Sequence, residues 1–198
     1  MPALPHPATA RGEATRQRLL DAAETEFGAR GFNATSVADV TRRAGVAQGT
    51  FYLYFPSKED VLRELVRHMG RALRHALAQA TADAPDRLAV ERRGFEAFAR
   101  FSLHHRNLYR IVMESQFVDE AIYRDYYEAL AAGYSAGLAR AVERGEVRAM
   151  DPEAAAWALM GIAHFVGLRY AIWQEREPPP EALDAVFDLV RYGLEPPP

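Results

Sequence analysis

The 198-residue chain contains no cysteine. That excludes a disulfide scaffold, a thiol nucleophile, cysteine-ligated zinc and an iron–sulfur cluster. It also contains no G-x-S-x-G, P-loop, G-x-G-x-x-G or H-E-x-x-H pattern. The nucleophile elbow, phosphate cradle and zinc-protease helix built by those patterns are missing. The chain is therefore expected to be no enzyme and to need no cofactor. Strand signals are scarce: no stretch sustains period-two alternation, and no Asn-Gly or Asp-Gly hairpin turn occurs. Basic excess is absent too, since the net charge is −3, which argues against a bulk cationic nucleic-acid coat. Residues 1–10, MPALPHPATA, lack the basic and apolar regions of a secretory signal and read as a disordered arm.

What the chain has in abundance is helical periodicity. With 49% hydrophobic residues it can bury a sizeable core, and apolar positions recur at three and four along most of its length. Nine helices are expected. They cover about Thr15–Gly28, a short helix capped by Thr35 or Ser36 and stopped by Gly45, and Gln48–Tyr54. Next come Lys58–Thr81, opened by an S-x-x-D cap, then Leu88–His105, Asn107–Ser115 and Glu120–Arg144. The last two are Pro152–Trp173, introduced by Asp151-Pro152, and Glu181–Tyr192, followed by a frayed tail at Pro196–Pro198. The run Ala154–Trp173 is apolar enough to resemble a membrane span, but it carries His164 and Arg169. An arginine near mid-bilayer costs about 2.5–3.5 kcal/mol, which alanine does little to offset. A buried helix is the expectation, with partners on every side, and Arg169 paired to a carboxylate in preference to a ligand anion.

Charge is uneven: residues 1–58 carry +2 and the remainder −5. The basic end holds the most informative segment, TSVADVTRRAGVAQGTFYLYF (residues 35–55). Two short helices meet at a Gly45 turn, the geometry of a helix-turn-helix. Val37, Val40, Val46 and Phe51 are placed to pack the pair, leaving Gln48, Gly49, Thr50, Tyr52 and Tyr54 exposed. A glutamine can pair bidentately with adenine, and a threonine offers a methyl or a hydroxyl. Gly49 admits close backbone approach. The hydroxyls of Tyr52 and Tyr54 can reach phosphate oxygens, and Lys58, in the first turn of the next helix, is placed to hold a phosphate with the free amides there.

These motifs, namely an A-x-x-x-F first helix, GF, T-S-V-x-x-V, R-R-A-G-V, G-T-F-Y-x-Y-F and P-S-K-E-D, run through residues 15–69. The segment resembles the N-terminal domain of the TetR/AcrR family of transcriptional regulators. The resemblance implies an all-α homodimer. A three-helix DNA-binding head (residues 11–57) would sit on a ligand-binding and dimerisation body (58–198), whose last two helices, about 152–173 and 181–192, form the dimer bundle. It implies that Thr35 and Ser36 begin the positioning helix and contact the DNA backbone, and that Arg42 or Arg43 lies near a phosphate or a base edge. Gln48, Gly49 and Thr50 would read bases, and Tyr52, Tyr54 and Lys58 would hold phosphates. It further implies a cytoplasmic repressor that reads a pseudo-palindromic operator and is released by a small ligand. Ala47 departs from the Ser or Thr frequent there in the family, so the reading helix lacks a side-chain cap.

The body is rich in aromatics. Phe101, Tyr109, Phe117, Tyr123, Tyr127, Tyr134, Trp157 and His164 are the candidates to border an effector pocket for an amphipathic acyl or aromatic molecule. A metal site is not expected: His104 and His105 point about 100° apart on a helix, and His68 and His75 stand roughly 10 Å apart along the axis. The competing reading is a helical protein–protein interaction module without sequence-specific DNA binding.

Overall fold

The computed structural model describes residues 9–194 and, among them, nine α-helices, one π-helical segment and no strand. Residues 1–8 of the expected arm and the Pro196–Pro198 tail lie outside the described residues. Thr9 and Ala10 do not belong to an arm. Thr9 caps α1 (Ala10–Arg30), its hydroxyl accepting from the Gly12 N–H at 3.1 Å. The helix thus starts earlier than Thr15. Its first turn, Ala10-Arg11-Gly12-Glu13, has no apolar stripe to reveal it and includes a glycine, a weak helix former.

The chain falls into two compact units. The first runs to Met69 and takes in Asn107–Tyr126. It contains α1, α2 (Val37–Ala44), α3 (Gln48–Tyr52), the start of α4 (Lys58–Thr81), nearly all of α6 (Arg106–Ser115) and the start of α7 (Glu120–Glu143). Leu19, Ala23, Phe27, Val40, Phe51, Phe55 and Leu62 form its buried centre. Phe27 meets Phe32 edge-on at 5.2 Å, and Phe51 meets Phe55 at 5.8 Å. Such aromatic pairs contribute about 0.5–1.5 kcal/mol beyond the area they bury. The expected punctuation is present. Ser36 and Asp39 make a reciprocal capping box at the start of α2, and Gly45 closes that helix in the left-handed conformation at φ 67°. Residues 107–126 join this unit through polar contacts. Glu114 accepts from the Phe32 N–H at 2.8 Å, and Arg63 reaches Asp119 at 2.5 Å.

The second unit comprises Gly70–Arg106 and the chain from Tyr127 onward. It holds α5 (Arg87–His104), most of α7, α8 (Pro152–Gly167) and α9 (Pro180–Leu194). Phe95, Leu138, Ala141, Val147, Ala156, Leu159, Val190 and Leu194 pack into its core. Asp151 caps α8, with Pro152 in the first turn as the sequence requires. Inside the unit, Arg87 and Glu91 pair at 2.6 Å while almost fully buried, and the Tyr134 hydroxyl donates to the other Glu91 oxygen. Burial pushes the Glu91 carboxyl above its ordinary range.

One expectation for the apolar helix is corrected. The segment Pro152–Trp173 is not one regular helix: α8 ends at Gly167 and Leu168–Trp173 continues as a π-helix. Within the single chain this stretch keeps an uncovered side, as a helix that also packs against a second copy would. It is long and apolar enough to cross a membrane by length and composition alone, and only 28% of that window is buried. Phe165 and Trp173 are 68% and 70% exposed. Arg169 lies with its guanidinium 5.5 Å from the Tyr170 ring centroid, a cation–π contact.

Candidate nucleic-acid interface

The candidate interface is built on α2, the Gly45 turn and α3. The turn is tied by the Gly45 N–H, which donates to the carbonyls at the end of α2, and by the Val46 N–H, which donates to the Thr41 carbonyl at 3.1 Å. Val40 and Phe51 are fully buried and lock the two helices together. Because Phe51 faces inward, its neighbours on the short α3 are turned out. Gln48, Gly49, Tyr52 and Leu53 are exposed, while Thr50 and Tyr54 are half-buried. A Cβ at Gly49 would meet no atom within 4 Å. This glycine is therefore not demanded by the chain's own packing. Ala47 stands at the N-cap with no side-chain hydrogen bond, as the sequence indicated.

Two of the expected DNA contacts are otherwise engaged. Thr35 is 1% exposed, and its hydroxyl donates to the Gly31 carbonyl at 2.8 Å. It closes the end of α1 and presents no side chain to solvent; Ser36 is the cap of α2 instead. Lys58 is not a free ammonium. It donates to the carbonyls of Phe32 and Thr35, both at 2.7 Å, and lies 4.1 Å from the Phe32 ring centroid. The reason is geometric: the α1–α2 turn leaves two carbonyls without helical partners, and the first turn of α4 passes beside them.

The remaining expected groups are at the surface, with partners. The Ser36 hydroxyl is exposed and bonds the Asp39 carboxylate at 2.6 Å. Arg42 is 73% exposed and pairs with Asp39 at 3.0 Å. Arg43 is half-exposed and pairs with Glu26 at 2.6 Å. Hydrogen bonds from Ser36 hold the Asp39 carboxyl well below the usual carboxylate range, and the Arg43 hydrogen bond lowers that of Glu26. Sequence reasoning missed Arg30, which bonds Glu26, Asp39 and the Ala34 carbonyl. The Glu26–Arg30 spacing of four on α1 was the available signal.

Residues 19–65, which contain this interface, match the family model for bacterial regulatory proteins of the tetR family. The HTH-type transcriptional regulator YdgC of Bacillus subtilis is 46% identical over 56 residues, covering 28% of this chain and 29% of that protein. The similarity also extends over the whole length. A Mycobacterium tuberculosis regulator, MftR, whose name ties it to mycofactocin biosynthesis, is 28% identical, covering 93% of each chain. Residues 19–65 thus carry the DNA-binding segment of the TetR family of transcriptional regulators. The fold agrees. The regulator FadR of Bacillus subtilis, solved in complex with stearoyl-CoA, aligns with a TM-score of 0.77 and 18% identity, covering 88% of this chain and 96% of that one.

The expected effector-lining residues divide between the units. Tyr109, Phe117 and Tyr123 are in the first; Phe101, Tyr127, Tyr134, Trp157 and His164 are in the second. Phe117 is 82% exposed and borders no interior space within its unit. Aromatic character at a loop tip cannot be told from aromatic character in a cavity by sequence. Tyr134 is committed to the Arg87–Glu91 cluster. His164 lies edge-on to Phe165 at 5.4 Å and to Tyr127 at 6.3 Å, and burial pushes its pKa down. Among the described residues no group of three metal-ligating side chains occurs.

Proposed function

We propose that this regulator is a homodimeric repressor that binds a pseudo-palindromic operator and leaves it when a small amphipathic molecule binds the body. Residues 11–57 form the DNA-binding head, and 58–198 serve ligand binding and dimerisation. The observation that carries the reading is the outward row of α3: Gln48, Gly49 and Tyr52 are exposed on a helix anchored by the buried Phe51. Gln48 and Thr50 read base edges and Gly49 admits the backbone. Ser36, Arg42, Arg43, Tyr52 and Tyr54 take phosphates. So short a reading helix needs a second copy about one DNA turn away to gain affinity and specificity. The uncovered aromatic side chains Phe165 and Trp173, with Leu189 and Tyr192 of α9, supply the self-complementary surface of a two-fold dimer.

The effector belongs to the second unit, near Phe101, Tyr127, Trp157 and His164. Burial lowers the His164 pKa and so favours its neutral form, which offers a hydrogen bond rather than a charge. FadR, which shares the fold, holds an acyl-CoA; an acyl or aromatic molecule suits the aromatic composition here. Release is a population shift. A ligand that prefers the state unable to bind DNA needs only a coupling of about 1–3 kcal/mol for a change of roughly 5–150-fold. The protein acts in the cytoplasm and carries out no catalysis.

Selection of bound sequences from random duplexes tests this reading. Inverted half-sites are expected, with affinity that falls steeply with salt. Gln48→Ala is expected to change the preference at one position of each half-site. No binding even in dilute buffer would favour the protein–protein interaction module.

A further inference from the structure

Five charged side chains meet where α1 ends and α2 runs. Glu26 takes Arg43 at 2.6 Å on one carboxylate oxygen and Arg30 at 3.2 Å on the other. Asp39 takes Arg42 at 3.0 Å and Arg30 at 3.4 Å. The result is one chain, Arg43–Glu26–Arg30–Asp39–Arg42, of three cations and two anions. The carboxylates lie underneath, with side chains 11% and 15% exposed, while Arg43, Arg30 and Arg42 are 50%, 47% and 73% exposed. Asp39 has a backbone task as well, since it completes the capping box of α2. The Glu26 carboxylate does not cap a helix: both of its oxygens face arginines.

This arrangement bears on DNA affinity. An arginine already held by its own carboxylate at 2.6 Å gains little from a passing phosphate. It must exchange one charge-assisted hydrogen bond for another, and, being neutralised, it releases fewer counterions. The exchange becomes favourable when α3 is seated in a groove it fits, because a phosphate is then fixed beside Arg43 at high effective concentration. We propose that Glu26 is a specificity-determining positioning residue: it withholds Arg43 from phosphates of unrelated DNA and yields it on a duplex that α3 reads. This rests on the DNA-binding function proposed above.

The test uses the full chain, its Glu26→Gln and Arg43→Met variants, the selected operator and a scrambled duplex of equal length, across a salt series. Glu26→Gln is expected to bind the scrambled duplex about fivefold tighter near 0.1 M salt. Its plot of log affinity against log salt should steepen by about one, and the preference for operator should fall. Arg43→Met is expected to cost about tenfold on the operator while binding to the scrambled duplex stays within about twofold. Glu26→Gln with wild-type affinity and slope on the scrambled duplex overturns the proposal, as does an Arg43→Met variant that loses equally on both duplexes. If Glu26→Gln melts early, the half-exposed Arg43 decides the matter alone. A wild-type protein that binds neither duplex overturns the DNA-binding reading and this proposal with it. Operator binding with unresponsive variants overturns only the latter.

Discussion

Lys58 bonds the Phe32 and Thr35 carbonyls at 2.7 Å, so its charge serves the turn between α1 and α2. Removing it takes a donor from two half-buried carbonyls, of which Phe32 keeps only the Thr35 N–H at 3.2 Å. Lys58→Met is expected to lower stability by about 1–3 kcal/mol, read in thermal or denaturant unfolding. The salt slope of DNA binding should stay at the wild-type value; a slope shallower by about one would return Lys58 to phosphate contact. Carboxylates of the same unit set an acid limit. The pKa values of Asp39, Glu26 and Asp119 lie below their ordinary values, held there chiefly by Ser36, Arg43 and Arg63 respectively. A depressed carboxylate pKa stabilises the fold above the unfolded value, and that contribution is lost as pH falls through the folded value. Stability should therefore drop as pH falls below about 4, and Asp39→Asn should flatten that limb of an unfolding-midpoint-against-pH profile. At this scale the sequence told which residue types were available. Thr35 and Ser36 are equally good caps on paper, and only the path of the backbone assigned the cap to Ser36 and buried Thr35.

The α3 helix is the least supported element of the head. It spans Gln48–Tyr52 and begins at Ala47 with no side-chain cap. Ala47→Ser places a hydroxyl at an extended N-cap, where it can accept from the amides of the first turn. A gain of about 0.5–1 kcal/mol in unfolding free energy is expected, and a loss in the same measurement would show that α3 has another entry geometry. Several helices were legible from capping and stop residues: Asp151 opens α8 and Gly45 ends α2. Errors fell where the local signal is silent. The first turns of α1 lack apolar periodicity, and Tyr54 lies past the end of α3 in a turn whose N–H bonds the Phe51 carbonyl at 3.0 Å. The π-helical Leu168–Trp173 has no marker in composition at all.

For the molecule as a whole, the uncovered aromatic residues of α8, the π-helix and α9 bear on its state of assembly. Phe165→Glu places a charge among surfaces that a dimer would bury, at a cost no partner group offsets. Sedimentation should then report a monomer, and operator affinity should fall by orders of magnitude because two linked heads become one; a dimer that persists would place the interface elsewhere. The amino-acid sequence by itself determined the helical class, the order of the elements and the helix-turn-helix, since periodicity, caps and glycine stops act within a few residues of chain. Only the tertiary structure decided which charged groups are free. Lys58 reaches across 26 residues to Phe32, and Arg43 across 17 to Glu26. Pairings at that separation depend on how helices pack, which local propensity does not encode.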